Sequence, residues 1–315
     1  MVKFVPDDVE EVEDVLTYAK KAKSRNTSRA YKADWTDFEV YSKKRKHPAL
    51  PASADHVALY LRYLVQRRRL KITTVTRRLA AIADRHQATG CRSPVKEWVV
   101  RNTLRRLRRE HGKPARGKDP LITEDLRKIV STIPDTLVGA RDRAILLLGF
   151  AGATRRSELV NLDIEDLALA PEGLVIFINK SKTDQSAKGR KVGIPYGKME
   201  ATCPVKAVLK WLELSKIADG PLFRGVTKYG SVRRPRLSDQ IVADIVKHYA
   251  ATIGKYAKRF AGHSLRSGLI TSAALASVSE KWIQDQSGHR SIITLRRYIR
   301  DACIFRFNAA SKVGL

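Results

Sequence analysis

Cysteine is scarce in this sequence and follows no metal-binding pattern. The three cysteines among 315 residues, Cys91, Cys203 and Cys303, lie far apart. No CxxC pair or His/Cys cluster predicts a zinc site, and an odd number of distant cysteines predicts no disulfide framework. The cysteine content therefore argues against a disulfide-stabilised secreted domain and favours a reducing compartment.

Long apolar runs are also lacking. No stretch approaches the ~18 consecutive apolar residues that a membrane-spanning helix needs. The segment from Met1 to Glu13 is acidic and has no apolar run of the kind found in a secretory signal. We therefore expect a cytoplasmic protein rather than a secreted or membrane-spanning one.

Negative charge is the third deficit. The chain has 61 Lys and Arg against 32 Asp and Glu, which gives a formal net charge of +29. Such an excess repels itself in a compact fold, and a polyanionic partner offsets that repulsion. Because Lys and Arg neutralise phosphates and release condensed counterions, the composition predicts a nucleic-acid partner.

The first part of the chain has helical spacing and no clear strand. At roughly 150 residues per domain, this length predicts about two domains. Apolar residues recur at steps of three and four in four successive runs, and one run, from about residue 73 to 89, ends at Gly90. We predict a helical N-terminal domain over residues 1–112, a basic Pro- and Gly-containing linker over residues 113–120, and a second domain over residues 121–315.

The predicted N-terminal domain carries much of the positive charge. Residues 15–118 contain 28 Lys and Arg against 7 Asp and Glu, with no acid between residues 62 and 78. Because local acids are scarce, ion pairs within one helix do not account for the basic clusters, although a purely solvated face remains the alternative. We predict that ten of these residues contact DNA: Lys43, Lys44, Arg67, Arg68, Arg69, Arg77, Arg78, Arg101, Arg105 and Arg108. Arg236, in the second domain, is a further candidate.

The second domain is predicted to be mainly α with a small antiparallel β-sheet. Residues 174–178 and 190–194 are short and β-branched, with a polar turn from Lys180 to Gly189 between them. Helices are expected near residues 204–215, 238–253, 264–277, 279–286 and 292–310. We therefore expect a two-domain DNA clamp with one small sheet.

Three separate motifs in this domain carry groups that act on phosphate. His263 and Arg266, three residues apart at a predicted helix start, lie on one face, where a helix N-terminus also attracts an anion. His289 follows Gly288, and Tyr298 comes nine residues later between basic residues. A phenol is a poor nucleophile at neutral pH unless cations stabilise its anion. Each motif alone is weak, since such residues also occur by chance in structural roles.

Together these motifs resemble the tyrosine recombinase, or phage integrase, family over roughly residues 121–300. The matching stretches keep the family's order and spacing: Ala153-Thr-Arg-Arg-Ser-Glu-Leu159, His263-Ser-Leu-Arg-Ser-Gly268, Gly288-His289 and Tyr298. The helical domain before them looks like the family's core-DNA-binding domain. The resemblance implies the catalytic residues Arg155, Lys182, His263, Arg266, His289 and Tyr298, with Glu158 as a supporting acid.

Some of these assignments stay open. Lys180 and Lys188 are rivals of Lys182 for the hairpin lysine, because the length of that turn varies in the family. Arg156 lies next to Arg155 and makes the first arginine ambiguous. Ala-Thr also precedes Arg155 where the family often has Gly-Leu.

The resemblance also implies a mechanism and an assembly. Tyr298 would form a 3′-phosphotyrosine, and strand exchange would pass through a Holliday junction with neither a metal nor an energy cofactor. Four protomers would assemble on two double-stranded DNA sites, with Ile304, Phe305, Ala309 and Val313 on a tail helix that docks on a neighbour. A tail packed on its own domain is the alternative.

The short N-terminus favours a simple Cre-like or Xer-like recombinase without an arm-site domain. We expect it to be nucleoid-associated and encoded by a bacterium, phage or plasmid. The alternatives are a type IB topoisomerase-like nicking and closing enzyme, a telomere resolvase, and a non-catalytic DNA-binding protein on the same scaffold.

Overall fold

A computed structural model of the chain describes residues 23–114, 117–179, 189–304, 310 and 313. The chain divides into two units, residues 1–115 and 116–315. No helix of the described part is long and apolar enough to cross a membrane. The domain boundaries at 112 and 121, with a linker between them, stay a prediction.

The described part of the first unit is built from four α-helices. They are α1 (Arg25–Lys44), α2 (Ala54–Gln66), α3 (Ile72–Ala88) and α4 (Trp98–His111). The hydroxyl oxygens of Ser24 and Ser53 accept backbone N–H groups at the starts of α1 and α2, which fixes where those helices begin. The apolar faces meet in one core that includes Phe38, Leu61 and Ile82.

The described residues of the second unit form eight α-helices. They are α5 (Thr123–Thr132), α6 (Leu137–Ala151), α7 (Arg156–Val160), α8 (Pro204–Ser215), α9 (Asp239–Thr252), α10 (His263–Leu275), α11 (Glu280–Ser287) and α12 (Ile292–Ala302). Residues 144–150 of α6 are all buried, as an apolar run through a core requires. Helix α6 packs against α8 and α10 and so forms the centre of this unit.

Two small antiparallel sheets complete the second unit. The first has the order β1 (Leu167–Ala170), β2 (Gly173–Ile178) and β3 (Arg190–Pro195), and the second pairs β4 (Arg224–Val226) with β5 (Val232–Arg236). In the first sheet Leu174 lies opposite Ile194 and Ile176 opposite Val192, and all four side chains are buried. The mainly helical fold with antiparallel sheet is confirmed.

Two details differ from the sequence-based expectation. A single sheet of two strands was expected, whereas the structure has a third strand, β1, in that sheet and a second sheet, β4–β5. Strand β5 contains Pro235 between arginines and lacks apolar alternation, so its sequence does not indicate a strand. The helix expected over residues 292–310 ends at Ala302, because the chain turns at Cys303, which is buried against α10. The polar turn expected from residue 180 lies almost wholly outside the described residues.

Candidate active site

Arg155 lies at the start of α7 and is held by an acid three residues later. The buried Glu158 carboxylate accepts the backbone N–H of Arg155 at 2.9 Å and also pairs with its guanidinium. An acid at this position suits the positive end of a helix. Just before it, Ala153 adopts a left-handed backbone with φ of 45°, which turns the chain from α6 into α7. The sequence from Ala153 to Glu158 thus fixes the direction of the Arg155 side chain.

His263 and Arg266 both project from the first turn of α10. Arg266 is only 1% exposed, and its Nη1 donates to the Ala153 carbonyl at 2.6 Å. Burial, together with the nearby charge of Arg155, lowers the pKa of Arg266 to about 10, so it stays charged at neutral pH. Gly268, two residues after Arg266, packs against the chain at Leu121. A Cβ at position 268 would lie 1.8 Å from the Leu121 carbonyl oxygen. Helix α10 therefore needs glycine at this position to pack closely.

His289 follows the left-handed Gly288 that ends α11. Its Nδ1 lies 2.7 Å from Ser287 Oγ and 3.3 Å from Arg266 Nη2. Burial first, and then the positive charges of Arg266 and Arg155, lower the pKa of His289 to about 4. The imidazole is therefore neutral at physiological pH.

The half-buried Tyr298 phenol comes from α12 and meets His263. The distance from Tyr298 Oη to His263 Nε2 is 2.8 Å. Burial of the ring, and then the positive charges of Arg266 and Arg155, lower the pKa of His263. A neutral His263 can accept a proton from the phenol that it contacts. The rings of His263 and His289 both lie 6.1 Å from that of Tyr298, between ring centres.

The structure thus brings together six of the predicted site residues, which come from α7, α10, the turn after α11, and α12. They are Arg155, Glu158, His263, Arg266, His289 and Tyr298. The lysine candidates Lys180, Lys182 and Lys188 lie outside the described residues. No group of three or more His, Cys, Asp or Glu among the described residues could hold a metal ion.

One residue near this site was missed by the sequence reasoning. Arg190, at the start of β3, donates from Nη1 to the Gln286 carbonyl at 3.0 Å and places Nη2 3.8 Å from Glu158 Oε2. The period of the strand could have revealed it, because Arg190 shares the inward face of β3 with Val192 and Ile194.

The basic residues of the first unit fall into two groups. Arg68, Arg77 and Arg78 pair with Asp34 or Asp37 of α1, so acids of another helix neutralise part of that cluster. The acids come from another helix and are not visible as local neighbours in the sequence. The remaining candidates have exposed side chains: Lys43, Lys44, Arg67, Arg69, Arg101, Arg105 and Arg108.

Arg236 also has a structural environment. Its guanidinium donates to the carbonyls of Val160 and Leu162 and pairs with Asp163 at 2.5 Å. These bonds connect β5 to the end of α7, so the Arg236 guanidinium has a structural role within the fold.

Two family models match the chain. The phage integrase family model matches residues 120–303, and the model of the phage integrase N-terminal SAM-like domain matches residues 16–89. An integrase/recombinase xerD homolog of Selenomonas ruminantium is 40% identical over 298 residues, which cover 93% of this chain and 87% of that protein. The recombinase cre of Escherichia phage P1 is 26% identical over 302 residues, covering 90% and 86%.

Solved structures share the fold. The XerH site-specific recombinase bound to a palindromic difH substrate, in its post-cleavage complex, superposes with a TM-score of 0.67 at 20% identity, covering 96% of this chain and 84% of that one. A lambda integrase dimer bound to a core site gives a TM-score of 0.59 at 16% identity, covering 94% and 95%.

The matched family model and the relatives named as recombinases make this chain a tyrosine-type site-specific DNA recombinase. The match to the family model and the 40% identical relative show that the chain belongs to the phage integrase family.

Proposed function

We propose that this recombinase cleaves one strand of a DNA duplex by attack of Tyr298 on a phosphodiester, which leaves a 3′-phosphotyrosine and a free 5′-hydroxyl. The proposal is supported by the short distance of 2.8 Å between the phenol oxygen of Tyr298 and His263 Nε2. Arg155 and Arg266 belong to the same site. The neutral His263 accepts the phenol proton during attack.

The two arginines stabilise the negative charge that develops on the phosphate during attack. In-line displacement places negative charge on the nonbridging oxygens, and preorganised cations stabilise that charge most in a site shielded from water. Arg155 is held by Glu158 and Arg266 by the Ala153 carbonyl, so both are oriented before DNA arrives. Lys182 of the segment outside the described residues protonates the leaving 5′-oxygen, with Lys180 and Lys188 as alternatives.

The rest of the reaction follows from the covalent link. A phosphotyrosine ester replaces the phosphodiester, so rejoining to a 5′-hydroxyl of a second duplex needs no external energy source. A first exchange gives a Holliday junction, and a second exchange resolves it.

The test is formation of a covalent adduct on nicked duplexes. The purified protein is incubated with a pool of nicked duplexes of randomised sequence. The short fragment that carries the freed 5′-hydroxyl diffuses away from them, and its loss blocks rejoining. Wild type and the control Tyr256→Phe, at an exposed tyrosine outside the site, are expected to give DNA-linked protein, and Tyr298→Phe none.

Two outcomes distinguish the alternative functions. DNA binding without any adduct from wild type would favour a non-catalytic DNA-binding protein. Adducts without sequence preference, together with relaxation of supercoiled plasmid and no recombinants, would favour a topoisomerase-like enzyme.

We also propose DNA contacts on the second unit at the β4–β5 hairpin. Lys228, Arg233 and Arg234 are exposed there, Tyr229 is 82% exposed, and residues 220–238 contain no acid. The hydrogen bond from Arg236 to the Val160 carbonyl attaches the hairpin to α7, the helix at whose start Arg155 lies. An exposed basic hairpin with an aromatic tip suits contact with phosphates and sugars.

The proposed assembly is a homotetramer on two DNA sites, in which the tail of one protomer occupies a cavity of the next. The second unit contains an open cavity of about 470 Å³ whose lining includes Leu126, Phe150, Ala273 and Trp282. Trp282 is 71% exposed. The apolar residues of the tail, which include Phe305, match this apolar lining, and such exchange closes a ring.

Phe305→Asp and Trp282→Ala test this assembly. Both are expected to reduce the DNA-bound tetramer to smaller species in sedimentation experiments, whereas Leu209→Asp, at an exposed leucine of α8 outside the cavity, is not. Wild-type complex size in both cavity and tail variants would contradict the exchange.

A further inference from the structure

Arg190 is a partly buried arginine beside the active site that the assigned reaction does not use. It begins β3 and points to the side of the sheet that also buries Val192 and Ile194. Its Nη2 is shielded from solvent and has no hydrogen-bond partner among the described residues. A buried donor without a hydrogen bond is destabilising, so a role in stability alone is a weak reason for an arginine here.

The guanidinium of Arg190 lies between two halves of the site. On one side Nη1 donates to the Gln286 carbonyl at 3.0 Å, three residues before His289. On the other side Nη2 lies 3.8 Å from Oε2 of Glu158, the same carboxylate that holds Arg155. Arg190 therefore contacts both the turn that carries His289 and the acid that orients Arg155.

Gly288 leaves the room that this arrangement needs. A Cβ at position 288 would lie 2.8 Å from Arg190 Nε and 3.0 Å from its Cζ. The left-handed Gly288, with φ of 63°, also directs the chain into His289. The close approach of the guanidinium and the position of His289 thus depend on the same glycine.

We propose that Arg190 is a positioning residue of the recombinase site, whose guanidinium fixes the His289 turn relative to Glu158 and Arg155. The inference rests on the proposed cleavage by Tyr298, because it assigns Arg190 a part in that step. Arg190 does not touch the reacting phosphate in this role; it acts through His289 and through Glu158.

The charge of Arg190 gives a readout that depends on this placement. The groups that act on His289 are Ser287 by its hydrogen bond, the rings of Tyr298 and His263, and the charges of Arg266, Arg155 and Arg190. Arg190 is one of the charges that lower the pKa of His289. Removal of that charge is expected to raise the pKa of His289, and a purely structural arginine elsewhere has no such effect.

The experiment compares Arg190→Met and Arg190→Lys with Arg141→Met in the full chain. Arg141 is also buried in the second unit, but its guanidinium pairs with Asp142 and makes no contact with the site in the described residues. Single-turnover adduct formation on saturating nicked duplex gives the cleavage rate, and titration of the duplex gives its affinity. The pKa of His289 is followed without DNA by NMR of ¹³C-labelled histidine, with His289→Gln used to assign the signal.

Arg190→Met is expected to lower the rate of adduct formation by about 10- to 100-fold, the loss seen when groups that orient reacting residues are removed. Its DNA affinity stays unchanged, and the pKa of His289 rises. Arg190→Lys keeps the charge but loses the planar fork, so the pKa of His289 stays low while the rate still falls. Arg141→Met is expected to lower stability and leave both readouts at their wild-type values.

A wild-type rate together with an unchanged pKa of His289 in Arg190→Met would overturn the proposal. If that variant does not fold, Arg190→Lys and Gly288→Ala decide, and wild-type rates in both would overturn it. If wild type itself forms no adduct, the proposed cleavage fails, and the His289 titration still decides whether Arg190 acts on that residue.

Discussion

Acidification is expected to destabilise this protein partly through His289. Its pKa in the folded protein is about 4, against an ordinary value of 6.5, because burial and the charges of Arg266 and Arg155 disfavour its protonated form. The unfolded chain therefore binds this proton more readily, and the free energy of unfolding falls as the pH drops from about 6.5 towards 4. At about pH 5 and about 1.4 kcal/mol per pKa unit, His289 alone accounts for about 2 kcal/mol. Because the ring is only half-buried, solvent screening reduces the expected loss to about 1–2 kcal/mol.

His289→Gln isolates this contribution. Urea denaturation of wild type and variant at about pH 7 and about pH 5 gives two free-energy differences, and all other titrating groups are common to both proteins. The wild-type free energy of unfolding is expected to fall by about 1–2 kcal/mol more than that of the variant. Equal losses in the two proteins would refute the low pKa of His289 and the dense positive charge around it.

Four further variants test separate parts of the structure. Ala153→Gly relieves a left-handed backbone and is expected to raise the free energy of unfolding by about 1 kcal/mol in urea denaturation; a loss of stability would show that the alanine is unstrained. Thr154→Val removes a buried hydroxyl that has no partner in the described part of the chain, and by the same assay it should stabilise by about 1 kcal/mol, whereas destabilisation would indicate a hidden partner. Arg101→Ala combined with Arg105→Ala should weaken DNA binding and reduce by about two the slope of log affinity against log salt concentration. Arg78→Ala should leave that slope unchanged and lower the free energy of unfolding, because Asp37 loses a partner. Equal salt slopes for the double variant and wild type would remove α4 from the DNA-contact surface.

Much of the fold could be predicted because local patterns decide helices. The predicted helix near 204–215 coincides with α8, where Pro204 begins the helix and the apolar stripe faces the core. The apolar run 144–150 is buried in α6 as its composition requires. Strand pairing in β4–β5 escaped prediction because it depends on partners, and Pro235 with its neighbouring arginines gives no local strand pattern.

The candidate site divides in the same way. The motifs around Arg155, His263 and Tyr298 are short, and their joint resemblance to the family predicted that they meet. Arg190 belongs to no motif, and only its place on the inward face of β3 brings it to Glu158. The pairing of Asp37 with Arg78 joins residues 41 positions apart, so local charge counts could not reveal it.

The chemical identity of the DNA-linked residue tests the central claim most directly. After nuclease and protease digestion of the adduct formed on nicked duplex, tandem mass spectrometry locates the residual nucleotide on the protein. We predict a single nucleotide joined through its 3′-phosphate to the phenol oxygen of Tyr298. A nucleotide joined through its 5′-phosphate, or attached to any other side chain, would contradict the account.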